Sequence, residues 1–224
     1  MGRKPDPGRK PELLGAICSY LGERGIGELS LRPLAAALGV STYSLVYHFG
    51  SKEQLLGEVV AHVEERQRAM IAGWRDESIA GGLRRYWRWS LEPSSRRLLR
   101  ISFEAALMDG RAPGRFDDAI ASLSTDWIRF LGAAFRAAGV SRAEARREAT
   151  LLAGTVFGLQ LDLLMTGDER RLGDAVEALA SRLDAALPAS EQSGARPAPI
   201  ARRPLPRPRG LREAGRSRAS RRAR

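Results

Sequence analysis

The sequence predicts an all-α protein of about nine helices: a small N-terminal head of three short helices, joined by a long helix to a larger helical bundle. Three observations carry that class. Apolar residues recur every three or four positions as far as Leu187. No stretch alternates apolar and polar residues between turn signals, as a half-buried strand does. Residues that start and stop helices divide the chain throughout.

The periodicity predicts helices near 11–24, 31–38, 42–48, 52–74, 80–91, 95–108, 115–138, 142–166 and 170–187. Pro11 suits a first helical turn, where its missing N–H costs nothing. Ser30 and Ser41 are expected to cap the second and third helices. Ser51 with Gln54, and Ser141 with Glu144, have capping-box spacing, in which each side chain satisfies an orphan backbone donor of the other residue. Gly25, Gly39, Gly50, Gly110, Gly139 and Gly167 mark expected helix ends. The 115–138 segment carries a stripe of Phe116, Ile120, Leu123, Trp127, Leu131, Ala134 and Ala138. The 142–166 segment is apolar nearly all round, so it must be covered on both sides. One cover is its own core and the other is expected to be a partner chain, the alternative being the fully buried central helix of a monomer. Leu152, Val156, Leu159 and Leu163 are the candidate dimer-interface residues, with Gly154 and Gly158 permitting close approach.

Charge is unevenly placed. The 224 residues hold 37 Lys+Arg against 26 Asp+Glu, and the stretch from Pro188 to Arg224 has 11 Arg and only two acidic residues. That tail is also rich in proline and poor in large apolar residues. It cannot bury enough surface to offset its chain entropy and reads as disordered. The domain reading is therefore 1–54, 55–187 and a tail at 188–224. Cys18 is the only cysteine, which excludes an internal disulfide and a thiolate zinc site. The longest uncharged apolar run, Ala149 to Leu161, falls short of the ~20 residues a spanning helix needs. The expectation is a cytoplasmic protein without membrane contact.

The informative stretch is SLRPLAAALGVSTYSLVYHFGSKEQLL, Ser30 to Leu56. Leu34, Ala35 and Leu38 face inward on one short helix, Gly39 breaks it, Val40 plugs the turn, and Ser41 starts a second. Leu45 and Phe49 lie four apart on the buried side of that second helix, and Val46 is expected to pack with them. Thr42, Tyr43, Ser44, Tyr47 and His48 make its other face. Two short helices joined by a tight glycine turn, the second with a polar face, form a helix-turn-helix, whose second helix fits the major groove.

The run ALGVSTYSLVYHFGSKEQLL resembles the DNA-binding signature of the TetR family of transcriptional regulators, above all at Gly39-Val40-Ser41, Tyr47-His48-Phe49 and Ser51 to Leu56. The likeness covers Leu13 to Leu56. The later segment LLAGTVFGLQLDLLMTGD and the amphipathic helix after it resemble the family's last two helices, which implies a dimerising four-helix bundle. The sequence departs from the pattern at Tyr43, where a small residue is common, and at Val46, where a phosphate-contacting tyrosine is common; Tyr47 is the candidate for that contact.

The resemblance implies roles by position. Ser41, Thr42, Tyr43 and Ser44 open the recognition helix, the last three meeting base edges. Tyr47, His48 and Lys52 bind phosphates, as does the helix N-terminus after Ser51, with Arg32 reaching the same backbone. Arg3, Arg9 and Lys10 would form an arm toward the minor groove. The recognition helix has no Arg, Lys, Asn or Gln, so bidentate reading of guanine or adenine is closed to it and hydroxyls, thymine methyls and DNA shape are left.

All four tryptophans lie beyond the head. The resemblance implies an effector pocket among the middle helices, with Trp87, Phe103, Trp127 and Phe157 as candidate walls and Gln160 as a polar handle for an apolar or aromatic ligand. Glu104 and Asp162 sit in apolar surroundings and are expected to make structural hydrogen bonds or ion pairs. No HExxH, GxSxG, Walker A loop or GxGxxG after a strand is present, so no enzyme, cofactor or metal is expected. The function expected is a homodimeric repressor on a palindromic DNA operator, released by a small apolar ligand. An effector-independent DNA-binding protein and a lipophilic-ligand carrier with a non-functional head are the alternatives.

Overall fold

The computed structural model describes residues 9–72, 78–111 and 119–187, with the side chains at 71–72, 109–111 and 119–124 excepted. The predicted tail, Arg3 of the proposed arm, Trp74, and Phe116, Ile120 and Leu123 of the stripe lie outside that description. The described residues form α1 (Lys10–Arg24), α2 (Leu31–Ala37), α3 (Thr42–Phe49), α4 (Lys52–Ala72), α5 (Ile79–Leu91), α6 (Pro93–Arg111), α7 (Ala119–Ala137), α8 (Arg142–Thr166) and α9 (Glu169–Ala186), with no strand among them.

The caps explain most boundaries. The Ser41 hydroxyl accepts from Ser44 N at 3.1 Å. At α4 the box closes in both directions: Ser51 N donates to Gln54 Oε1 at 2.8 Å, and Gln54 N donates to Ser51 Oγ at 3.2 Å. At α8 only half forms, because Glu144 N donates to Ser141 Oγ at 3.4 Å while the serine hydroxyl donates to the Glu144 carboxylate at 2.7 Å. Ser30 holds the N-cap position of α2 in extended backbone but makes no cap hydrogen bond from its side chain. Gly110 does not stop α6, which runs on to Arg111.

Two cores organise the chain. The first gathers Leu13, Ile17 and Leu21 of α1, Leu34 of α2, Leu45 and Phe49 of α3, Leu55 to Val63 of α4, and Leu98, Ile101 and Ala105 of α6. It therefore continues past the expected boundary at residue 54, since α4 crosses that point unbroken and α6 closes the base of the head. Cys18 belongs to this core, and burial pushes its thiol up to about 12, so it stays protonated. The second core joins α5, α7, α8 and α9 through Tyr86, Trp127, Leu131, Phe135, Leu152, Val156, Leu163, Leu172 and Val176.

The head is fastened to the bundle where α1 crosses α6. Gly22 of α1 is buried against Arg97, so close that a Cβ there would lie 2.3 Å from the Arg97 Cβ. Just beyond, Ile26 N donates to Glu104 Oε2 at 2.7 Å, and Arg100 donates to both Glu104 Oε1, at 2.9 Å, and the Glu23 carbonyl, at 3.2 Å. Glu104 thus makes the structural bond and ion pair expected of it. Asp162 is paired with Arg171 at 2.8 Å but stands at the surface rather than in the core.

Among the described residues α8 alone is long and apolar enough, by length and composition, to cross a membrane, a property the uncharged-run count did not register. One side of it is packed into the second core through Ala149, Leu152, Ala153, Val156, Gln160 and Leu163.

Candidate nucleic-acid interface and effector cavity

In the head, Leu45 and Phe49 point α3 inward and are buried, which turns the opposite side of the helix to solvent. Gly39, at φ 63°, supplies the left-handed residue that the α2–α3 turn needs and that L side chains resist. Tyr43 is 70% and Tyr47 52% exposed, their ring centroids 6.5 Å apart, so the two phenols form one outward-facing pair. Thr42 is exposed beside them and Ser44 is half-buried. Val46, expected in the core, is instead 46% exposed: the 100° step per residue carries it away from Leu45 and onto the surface beside Tyr43 and Tyr47.

The remaining candidates divide. Ser41 is exposed, but its hydroxyl already caps α3. Arg32 is exposed on the first turn of α2, and Lys52 opens α4 half-exposed, next to the backbone N–H groups of that helix start. His48 is half-buried; its Nε2 is enclosed, and Tyr47 meets the ring edge-on at 5.1 Å. That nitrogen is not offered to solvent. Lys10 is not part of a free arm either. It lies in α1, bonded to Glu58 at 2.5 Å with its ammonium 5.4 Å from the centre of the Phe49 ring.

The bundle encloses a cavity of about 250 Å³. Its walls are Val60, Val63, Glu64 and Gln67 of α4, Tyr86 of α5, Leu99, Ile101, Ser102, Phe103 and Ala106 of α6, and Phe157 and Gln160 of α8. Phe103, Phe157 and Gln160 are therefore brought together as expected. Trp127 and Trp87 are not in this wall. Trp127 packs on Tyr86, centroids 4.8 Å apart, and lines only a neighbouring slot of about 10 Å³. Trp87 is buried in the second core, with its indole nitrogen near Gly173 of α9. Both are large enough to be spent on helix packing.

Apart from Gln160, the polar side of the cavity was missed by the sequence reading. Gln160 is fully buried and donates to Ser90 Oγ at 2.8 Å, and the serine donates to the Tyr86 carbonyl at 2.9 Å. Gln67 donates to Ser102 Oγ at 3.1 Å. Glu64 is 5% exposed, and burial, opposed by Arg68, pushes its carboxyl up to about 7. The signal was present in the sequence, since Glu64 and Gln67 fall three apart and on the same face of α4 as Val60 and Val63.

Leu152, Val156 and Leu163, expected at a dimer interface, are buried in their own chain's core, with Leu159 half-buried. The stripe of α8 that remains open is one step round: Leu151, Gly154, Thr155, Gly158, Leu161 and Met165. Leu151 and Met165 are 64% and 76% exposed, and nothing lies within 4 Å of a Cβ built on Gly154 or Gly158.

Residues 13–59 match the family model of bacterial regulatory proteins, tetR family. The HTH-type transcriptional repressor KstR2 of Rhodococcus jostii (strain RHA1) is 38% identical over 53 residues, 24% of this chain; the chain spans 26% of that repressor's length. A TetR transcriptional regulator from Legionella pneumophila shares the fold, at 18% identity and TM-score 0.67 over 81% of this chain and 97% of that one. The DNA-binding head is therefore that of the tetR family of bacterial regulatory proteins, and the whole chain shares the fold of solved TetR regulators. A second solved relative in fold, AibR in complex with isovaleryl coenzyme A and operator DNA, is 18% identical, with TM-score 0.60 over 76% of this chain and 97% of that one. The TetR-like head spans α1 to the first half of α4, where Tyr43, Tyr47 and Lys52 stand exposed or half-exposed.

Proposed function

We propose that this chain is a TetR-family transcriptional repressor that binds a palindromic DNA operator as a homodimer and is released by a small, largely apolar ligand. The observation that carries this reading is the outward set of Thr42, Tyr43 and Tyr47 on α3, over the buried anchors Leu45 and Phe49 and beside the start of α4. A helix docked in a major groove by that face meets bases with Thr42 and Tyr43, and sets Tyr47, Lys52 and Arg32 against phosphates. KstR2 is a transcriptional repressor, and AibR is solved in complex with isovaleryl coenzyme A and operator DNA.

Residues 1–54 are then the DNA-binding unit, 55–187 the ligand and dimer unit, and 188–224 a basic extension. The open stripe of α8 supports dimerisation, because two glycines let a second helix approach closely between flanking leucines and a methionine. A two-fold dimer presents its recognition helices about one DNA turn apart. The cavity supports the ligand step. Ligand and operator then weaken each other's binding by a shared coupling, typically ~1–3 kcal/mol.

Selection of bound duplexes from a genomic library by the purified protein tests the reading. The expected outcome is an inverted repeat bound by two chains. A monomer in solution, or retention without base preference at low salt, refutes it.

A further inference from the structure

The cavity wall holds buried oxygens that accept no hydrogen bond among the described residues, Gln160 Oε1 and Glu64 Oε1 among them, and of these two only the glutamate can carry charge. Glu64 Oε1 is buried and has no hydrogen-bond partner among the described residues. Its other oxygen, Oε2, accepts from Arg68 Nη2 at 3.2 Å, and that same nitrogen reaches Asp126 Oδ2 of α7 at 3.4 Å. Inside the bundle one guanidinium is therefore shared by two carboxylates. Arg129 also reaches Asp126, at 3.4 Å, but it is 75% exposed and screened by water. The other walls add no charge: α5 gives Tyr86, α6 gives Ser102 and Phe103, and α8 gives Phe157 and Gln160.

A buried acceptor without a donor is costly, and a buried carboxylate more so. Apart from Gln67, Tyr86, Ser102 and Gln160, which are neutral, the surrounding wall is apolar. Resting on the reading of this cavity as the effector site, we propose that its ligand is an apolar molecule bearing a protonated amine, whose N–H donates to Glu64 Oε1. An anionic ligand meets the opposite situation, since Arg68, the cation beside Glu64, is already held by Glu64 and Asp126. Discrimination by charge is thus built into α4 and α7, while the aromatic walls select for bulk.

Three isosteric probes separate charge from shape: 4-phenylbutylamine, 4-phenylbutanol and 4-phenylbutyrate, titrated into the full chain by calorimetry. At about pH 8 the amine is expected to bind at least about tenfold more tightly than the alcohol, and the acid more weakly than either, as a charge-assisted hydrogen bond requires. At about pH 6 the amine preference shrinks, because burial lets Glu64 take up its proton near 7 while the amine keeps its charge. Glu64→Gln is expected to bring amine and alcohol within about threefold at both pH values. Its circular dichroism spectrum and cooperative thermal melt show that the variant is folded. Equal binding of amine and alcohol by the wild type, an acid that binds best, or a preference that survives Glu64→Gln overturns the proposal and leaves the cavity reading standing. If none of the three binds, the reading of the cavity as an effector site falls, and the proposal with it.

Discussion

Gly22→Ala tests how tightly the DNA-binding head is fastened to the bundle. A Cβ at Gly22 would sit 2.3 Å from the Arg97 Cβ, 2.9 Å from its Cγ and 3.0 Å from its Cα. Ordinary carbon contacts lie near 3.5–4.0 Å, so more than an ångström must be found. Rotating the Arg97 side chain does not help, because its Cβ and Cα are fixed to α6; the two helices must part. Such overpacking costs about 1–3 kcal/mol. Alanine also gains ~1 kcal/mol over glycine in a helix interior. Gly15→Ala separates the two effects, since Gly15 lies on the same helix with nothing within 4 Å of its built Cβ. In thermal melts followed by circular dichroism, Gly15→Ala is expected to melt at or above the wild type. Gly22→Ala is expected below Gly15→Ala by several degrees, since ~1 kcal/mol moves a domain of this size by roughly 2–4 °C. Removing the opposing Cβ with Arg97→Gly in the Gly22→Ala background should recover part of the loss as a favourable coupling. If Gly22→Ala melts with Gly15→Ala, the helices do not touch there, and the described junction is wrong.

Replacing Tyr43 with Ala is expected to flatten base preference across an operator library while leaving nonspecific retention nearly unchanged; an intact preference removes it as a reader. Lys52→Ala should weaken binding to every duplex and reduce the salt slope by about one phosphate equivalent, measured by titration at several ionic strengths. Glu64→Gln should raise the melting temperature at about pH 8 and not at about pH 4. The folded state holds the Glu64 proton up to about 7 against an ordinary 4.5, so the stability due to the neutral form is present below 4.5 and lost as pH rises through 7. Fully realised, that difference is about 3 kcal/mol, and a pH-independent effect of the substitution contradicts it.

Helix number and order were legible in the sequence because amphipathic spacing and capping are local. The Ser51–Gln54 box and the Gly39 turn need only residues within one turn of each other, and both formed as read. The bundle was less legible for the opposite reason. Whether Trp127 lines a cavity or fills a core depends on Tyr86, some forty positions away in the chain, and single-helix periodicity carries no such information. The same limit misassigned α8: a helix apolar on every side does not say which stripe its own chain will take. His48 illustrates a third case. A ring that is polar by composition was half-buried, because the helix angle between Leu45 and Phe49 is narrow and the position before Phe49 lies at its edge. Glu64 was passed over as one charge among several on a long helix, and only the closure of α6 and α7 over it made it informative.

Val60, Val63 and Ile101 have two neighbourhoods, since they belong to the head's core and also form the wall of the cavity. The two compartments are thus rooms with a common partition, to which these three side chains belong. Whatever fills or empties one room bears directly on the packing of the other, with no lever arm between them. Substitution at those three positions is consequently constrained twice, because each change of cavity shape is also a change in how firmly α2 and α3 are seated.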